Sequence, residues 1–120
     1  MSTINYNSGE IKISDANKTI TQLVLENKTD LADCNLSNLD LSNLDLSQGY
    51  FKYCNFAKSN LTNVKLDNAN CKGAFFVKAN LTNITVVGIY AGNADFDSKY
   101  KWINTYSDNL LYSSTYSPCK

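Results

Sequence analysis

The chain reads as an all-β solenoid, and three observations lead there. Stepping in fives from Leu31 lands on Leu36, Leu41, Leu46, Phe51, Phe56, Leu61, Leu66, Cys71, Phe76, Leu81, Val86, Ala91 and Phe96, all apolar. Two residues before each lies a second, mostly small column that includes Cys34, Gly49, Cys54, Ser59, Ala69, Ala74, Ala79 and Ala94, while the other three positions of each five are mainly polar. A longer period lies over the short one, since Ser59-Asn60-Leu61-Thr62-Asn63 returns twenty residues on as Ala79-Asn80-Leu81-Thr82-Asn83. A period of five fits neither the helical stripe nor the two-residue alternation of a flat strand. It fits units that cannot bury their apolar face alone and therefore stack, with four fives to a turn.

The units Cys34-Asn35-Leu36, Leu39-Asp40-Leu41, Leu44-Asp45-Leu46, Ser59-Asn60-Leu61, Ala69-Asn70-Cys71, Ala79-Asn80-Leu81 and Ala94-Asp95-Phe96 carry a family resemblance. The chain resembles the pentapeptide-repeat family, whose unit is Ala-Asp/Asn-Leu-X-X. The resemblance implies a right-handed, four-sided β-helix with the Leu/Phe position and the small residue two before it pointing inward. Function does not transfer with it, because members of the family do unrelated things.

Taken in order, the chain divides into a capping segment at 1–28, the repeat at 29–98 and an aromatic tail at 99–120. In the first segment Glu26 falls where a core residue belongs. Ile11 and Ile13 alternate, Ser14-Asp15-Ala16-Asn17 reads as a turn, and Ile20, Leu23 and Leu25 follow. The segment is either a hairpin or a short helix capped by Ser14 or Asp15. Either closes an open coil, whose unpaired backbone groups would otherwise template assembly.

The repeat provides about three and a half turns of twenty residues. One inward column stacks Phe56, Phe76 and Phe96 beneath Leu36. A second holds Leu41, Leu61 and Leu81, and a third Leu46, Leu66 and Val86. The fourth, Leu31, Phe51, Cys71 and Ala91, shrinks toward the C-terminus, with Ile84 and Ile89 nearby to redistribute bulk. Beyond 98, Tyr100, Ile103, Tyr106 and Leu110 lie at helical spacing, with Asp97 or Ser98 as N-cap. An amphipathic helix over the last coil is the simplest reading. Trp102, Leu111, Tyr112 and Tyr116 add apolar area beyond a cap's needs, and the resemblance implies that such elements can pair two molecules end to end. Pro118 marks a frayed end.

Cys34 and Cys54 fall in the small column and Cys71 in the large one, where a thiol behaves as a small hydrophobe. Side chains one coil apart run parallel, which holds the Cβ atoms of Cys34 and Cys54 slightly too far apart for a disulfide. Free thiols and a reducing compartment follow, with Cys119 the exposed cysteine. The polar start and the absence of a long apolar run predict a soluble, cytoplasmic protein.

Formal charge is zero, with eleven acids and eleven lysines, and there is neither His nor Arg. That removes the commonest general acid/base and the preferred bidentate phosphate reader. No metal-ligand spacing, nucleophile-base pair or phosphate-cradling loop appears, so no catalytic residue, metal or cofactor is expected. Some relatives mimic duplex DNA and act on DNA gyrase, which needs dense negative charge. Residues 29–98 hold seven acids and five lysines, a net of minus two that disfavours this function.

The outward positions carry what functional signal there is. One face stacks Asp40, Asn60 and Asn80 beside Ser42, Thr62 and Thr82 and beside Asn43, Asn63 and Asn83. It reads as polar ladders bonded along the stack, with an ice-binding array as the weaker alternative. The neighbouring faces place Tyr50, Tyr53, Phe75, Val77 and Tyr90 where polar residues belong, with Lys52 and Lys72 one coil apart among them. That patch predicts a protein partner or a second copy, unless the N-terminal segment or the tail folds over it. Single-stranded nucleic acid is a weaker candidate, given the missing Arg and the neutral charge.

Overall fold

The computed structural model describes residues 2–111. Before the repeat, β1 (Ser2–Tyr6) and β2 (Ile11–Asp15) form an antiparallel hairpin. The chain reverses at Asn7 to Glu10, where Gly9 takes a φ of 98° and its N–H bonds to the Tyr6 carbonyl at 2.9 Å. Of the turn expected at Ser14 to Asn17, Ser14 and Asp15 close β2 and Ala16 and Asn17 form the turn, with the Asp15 Oδ1 accepting from Asn17 N at 2.8 Å.

Helix α1 (Ile20–Glu26) follows, so hairpin and helix coexist. Its cap corrects the sequence reading. Thr19 caps it, not Ser14 or Asp15, because those two residues are already used by the strand and its exit. Thr19 Oγ1 accepts from Gln22 N at 3.2 Å, and Gln22 Oε1 accepts from Thr19 N at 2.8 Å. This reciprocal capping box satisfies two otherwise orphaned N–H groups. Leu23 and Val24 then turn into the core.

From residue 31 the chain is a β-helix solenoid. Parallel bridges recur at intervals of twenty in four columns: Asn35, Asn55, Phe75 and Asp95; Asp40, Asn60 and Asn80; Asp45, Lys65 and Thr85; Tyr50, Asn70 and Tyr90. Each bridging residue lies between a small and a large inward position. Between bridges the chain bends, and the N–H of the small position bonds back three residues, as from Cys54 to Phe51 at 3.0 Å and from Val64 to Leu61 at 3.1 Å. The residue before the small one has positive φ, near 60° at Asn38, Asn63, Asn68 and Asn93. Asn tolerates this left-handed conformation best among residues bearing a Cβ. The geometry therefore explains why the fifth polar position is so often Asn.

The interior is the union of the inward columns. Leu36, Leu41, Leu46, Phe51, Phe56, Leu61, Leu66, Phe76, Leu81 and Phe96 are all buried. Phe56 and Phe76 stack with centroids 5.0 Å apart, and Phe76 and Phe96 with centroids 4.7 Å apart and planes 3° off parallel. Gly49 is in the small column because the Phe51 ring occupies the space a Cβ would need. Ser59, also buried, is satisfied across the stack, donating to the Leu36 carbonyl at 2.6 Å and accepting from Leu39 N at 3.1 Å. Cys34, Cys54 and Cys71 are buried and are not joined in disulfides. Burial pushes the Cys34 thiol up to about 11 and raises that of Cys54 as well.

The two ends are finished differently. At the first coil, β1 pairs antiparallel with β3 (Cys34–Asn35), giving a three-stranded sheet in the order β2-β1-β3. Because Asn35 also bridges to Asn55, the hairpin extends the hydrogen bonding of that face past the coil. At the last coil, a 3-10 turn (Ser98–Tyr100) leads into helix α2 (Trp102–Leu111). The expected cap at Asp97 or Ser98 is corrected here. Asp97 precedes the 3-10 turn and makes no side-chain cap bond, its Oδ2 instead accepting from Lys78 N in the coil before at 2.9 Å.

In α2, Ile103 is fully buried and Trp102 is half exposed, while Tyr106 and, from the 3-10 turn, Tyr100 pack against the core. Asn104 Nδ2 donates to the Ala91 carbonyl at 2.7 Å, and Ser107 Oγ accepts from Ala91 N at 2.6 Å. The side chains of Leu110 and Leu111, together with Tyr112, Tyr116, Pro118 and Cys119, lie outside the described residues. No described helix is long and apolar enough to cross a membrane.

Candidate functional site

The coil register decides which outward side chains meet. Tyr50, Lys52, Tyr53, Lys72 and Tyr90 surround the wall whose inward residues are Phe51, Cys71 and Ala91. Phe75 and Val77 belong to the next wall, backed by Phe56, Phe76 and Phe96. The shared corner runs through Tyr53 and Gly73. Tyr53 and Phe75 are exposed at 44 % and 41 %, while Tyr50, Lys52, Lys72, Val77 and Tyr90 are half-buried. The patch is thus two exposed rings in a half-buried surround, rather than a uniformly open surface.

Tyr53 is the unusual member. It occupies a corner at φ 62°, where a bulky side chain is disfavoured. Its ring settles where a Cβ of Gly73, one coil on, would stand, against Cδ1 and Cε1. The Lys52 ammonium lies 5.4 Å from its centroid, within cation–π range. Tyr90 uses Gly92 similarly, a Cβ there falling 2.7 Å from Cε1. Between Tyr50 and Tyr90 in their column, Asn70 is only 5 % exposed, and its Oδ1 accepts from Lys72 N at 3.1 Å. Glycines at 73 and 92 are therefore notches that seat the rings.

The N-terminal segment touches this region at the Tyr53 carbonyl, which accepts from Asn7 Nδ2 at 2.8 Å, and at Tyr50 N, which donates to the Lys28 carbonyl at 2.7 Å, and leaves the Tyr53 and Phe75 rings exposed. Two cations escaped the sequence reading. Lys58 and Lys78, both exposed, stand one coil apart beside Ala57 and Val77. The twenty-residue period that places the apolar columns also places these lysines in one column.

The polar face departs from the expected ladders. Asp40, Asn60 and Asn80 each turn Oδ1 onto the residue two ahead, accepting both its N–H and its hydroxyl, the hydroxyl contacts being 2.7, 2.7 and 2.6 Å. These bonds are local because an Asx side chain reaches its own turn more readily than the next coil. The link along the stack on this face is from Asn63 Nδ2 to Asn43 Oδ1 at 3.0 Å. The Ser42 hydroxyl bond holds the Asp40 carboxyl below its ordinary value, and Ser47 does the same for Asp45. The hydroxyl protons of Thr62 and Thr82 are committed to Asn60 and Asn80, so a flat array of free donors does not form. Among the described residues, no group of three or more His, Cys, Asp or Glu could hold a metal ion.

A stack of twenty-residue coils with its chemistry on the outer walls defines a β-helical repeat protein. Residues 50–83 match the family described as pentapeptide repeats, in eight copies, and that stretch carries the repeats of the family. A solved structure similar to it is that of a pentapeptide repeat protein, Rfr23, from the cyanobacterium Cyanothece 51142. The two are 34% identical with a TM-score of 0.51, over 52% of this chain and 44% of the other. The chain thus spans less than half the length of that protein. No curated protein matches it.

Proposed function

We propose that this protein is a non-enzymatic binding or scaffolding module of the cytoplasm, acting through the outer walls of its solenoid. In this reading the solenoid is a right-handed, four-sided coil of about three and a half turns, closed by residues 1–28 and 99–120. The observation that carries the function is the pair of open rings, Tyr53 and Phe75, on adjoining walls of a rigid, fully packed stack. Aromatic side chains held on a stiff backbone lose little freedom on binding, which is why they dominate interface energies. Trp102, half exposed on α2, supports a second contact surface through which two copies pair.

The test is a Tyr53→Ser, Phe75→Ser double variant compared with the parent by light scattering and by affinity capture from the source cell. The reading expects lost assembly or lost partners at unchanged circular dichroism. Identical assembly and identical partners would remove its basis.

A further inference from the structure

Charge on the two aromatic walls is segregated by height along the stack. Residues 50–58 and 70–78, the middle rungs, contain Lys52, Lys58, Lys72 and Lys78 and no acid. The rung above carries Asp30 and Asp33, and the rung below carries Asp95 and Asp97. Among the described residues the ion pairs are Lys12–Asp30 and Lys18–Glu26, so none of the four lysines is neutralised by a paired carboxylate. The rings of Tyr53 and Phe75 stand between the lysine columns.

Resting on the reading above, we infer that this band is a docking surface for an acidic peptide segment bearing an aromatic or aliphatic anchor. The anchor sits against Tyr53 and Phe75, and its flanking carboxylates meet the lysines. Charge complementarity of this kind steers encounter and selects among partners. The band is two rungs high, about 5 Å between rungs, and is bounded above and below by carboxylates. Asp30 being held by Lys12 at 3.0 Å, a long polyanion running along the axis would meet the carboxylates of Asp33 above and of Asp95 and Asp97 below, whereas a short acidic segment crossing the corner would not. The lysines, lacking the planar fork of Arg, meet carboxylates as point charges without demanding the bidentate geometry that favours phosphate. A second copy bound through the same band would set lysine against lysine, so self-association there is disfavoured.

Panning a random twelve-residue peptide library on the full chain tests this, with affinities of the selected peptides measured by fluorescence anisotropy. The expected result is enrichment of peptides that combine net negative charge with at least one aromatic or aliphatic anchor. Their affinity should fall at least tenfold in Lys52→Glu with Lys72→Glu and less in Lys52→Gln with Lys72→Gln, both with unchanged circular dichroism. Peptides without acidic bias, no enrichment, affinity indifferent to charge reversal, or stronger binding of a twenty-residue oligothymidine would each overturn the inference. If unbiased peptides are selected yet lost in the Tyr53→Ser, Phe75→Ser variant, the acidic partner fails while the interaction wall stands. If that variant binds them as the parent does, both fail.

Discussion

Removing the Phe76 ring tests the fold at its most informative point. The ring lies between Phe56 at 5.0 Å and Phe96 at 4.7 Å and is 1 % exposed, so Phe76→Ala opens a void that both neighbours border. Burial of such a side chain and the cavity it leaves together cost about 3 to 5 kcal/mol on truncation. Phe76→Leu keeps most of the apolar volume, as Leu36 does at the head of the same column, and loses the ring contacts, for a cost of about 1 kcal/mol. With a urea m-value of about 2 kcal/mol per molar, the alanine variant should lower the midpoint by about 1.5 to 2.5 M and the leucine variant by about 0.5 M. Circular dichroism follows the whole stack and Trp102 fluorescence follows α2. Each coil leans on its neighbours alone, so the two probes should also separate more in the alanine variant. An unchanged midpoint for Phe76→Ala, or equal losses for both variants, would refute the placement of this residue in a stacked column.

Four further outcomes follow from the geometry. Gly73→Ala should cost about 1 to 3 kcal/mol, from the left-handed φ of 65° and the collision with Tyr53; in a Tyr53→Asn background the collision disappears and a double-mutant cycle should show coupling. Ala91→Leu should push α2 off the last coil, read as faster amide exchange at Ile103 and Asn104 with the middle coils unchanged. Asp40 and Asp45 have depressed carboxyl pKa values, so their contribution is complete above the ordinary 3.8 and lost as pH falls through the lower folded value; the urea midpoint should drop in that range, and less so in Ser42→Ala with Ser47→Ala. The Cys34 thiol is raised, so its contribution is complete below the ordinary 9.0 and lost as pH rises through about 11; midpoints measured from pH 8 to 11 should fall, with a smaller fall in Cys34→Ala.

The core was legible because a strict period admits one arithmetic. Once Leu31 and Phe96 share a register of five, every inward residue between them is assigned without reference to its neighbours. The corners were less so: positive φ at Asn63 is written in its residue type, but Tyr53 holds the same conformation against its preference, and only the Gly73 notch one coil away explains how. That partner is twenty residues distant and has no side chain to signal it. The terminal elements lie outside the period altogether. Thr19 and Gln22 form a capping box that a scan for Thr three residues before Gln would have found, whereas the bonds from Asn104 and Ser107 to Ala91 depend on how α2 docks, which no local pattern encodes.

The asymmetry of the two ends follows from what each coil leaves unpaired. On the first coil the wall at Asn35 presents an extended edge, and an antiparallel strand can satisfy it directly, so the hairpin continues the sheet. Asp40 and Asp45 stand on edges of the same coil that pair with no strand of the hairpin, where exposed carboxylates discourage another strand from adding. On the last coil the inward column has tapered from Leu31 and Phe51 to Ala91, and the vacated depth lets a helix approach closely enough for side chains to reach the backbone. Ser107 Oγ then accepts from the Ala91 N–H, and Asn104 Nδ2 donates to the Ala94 carbonyl at 3.2 Å, the two groups that a following coil would have met. A larger residue at 91 would fill that depth with hydrocarbon and take from the Ala91 N–H the hydroxyl that satisfies it, which costs more than the added burial regains. The shrinking column is therefore the seat of the terminal helix, and the polar residues on the inner face of α2 stand in for the strand that ends there.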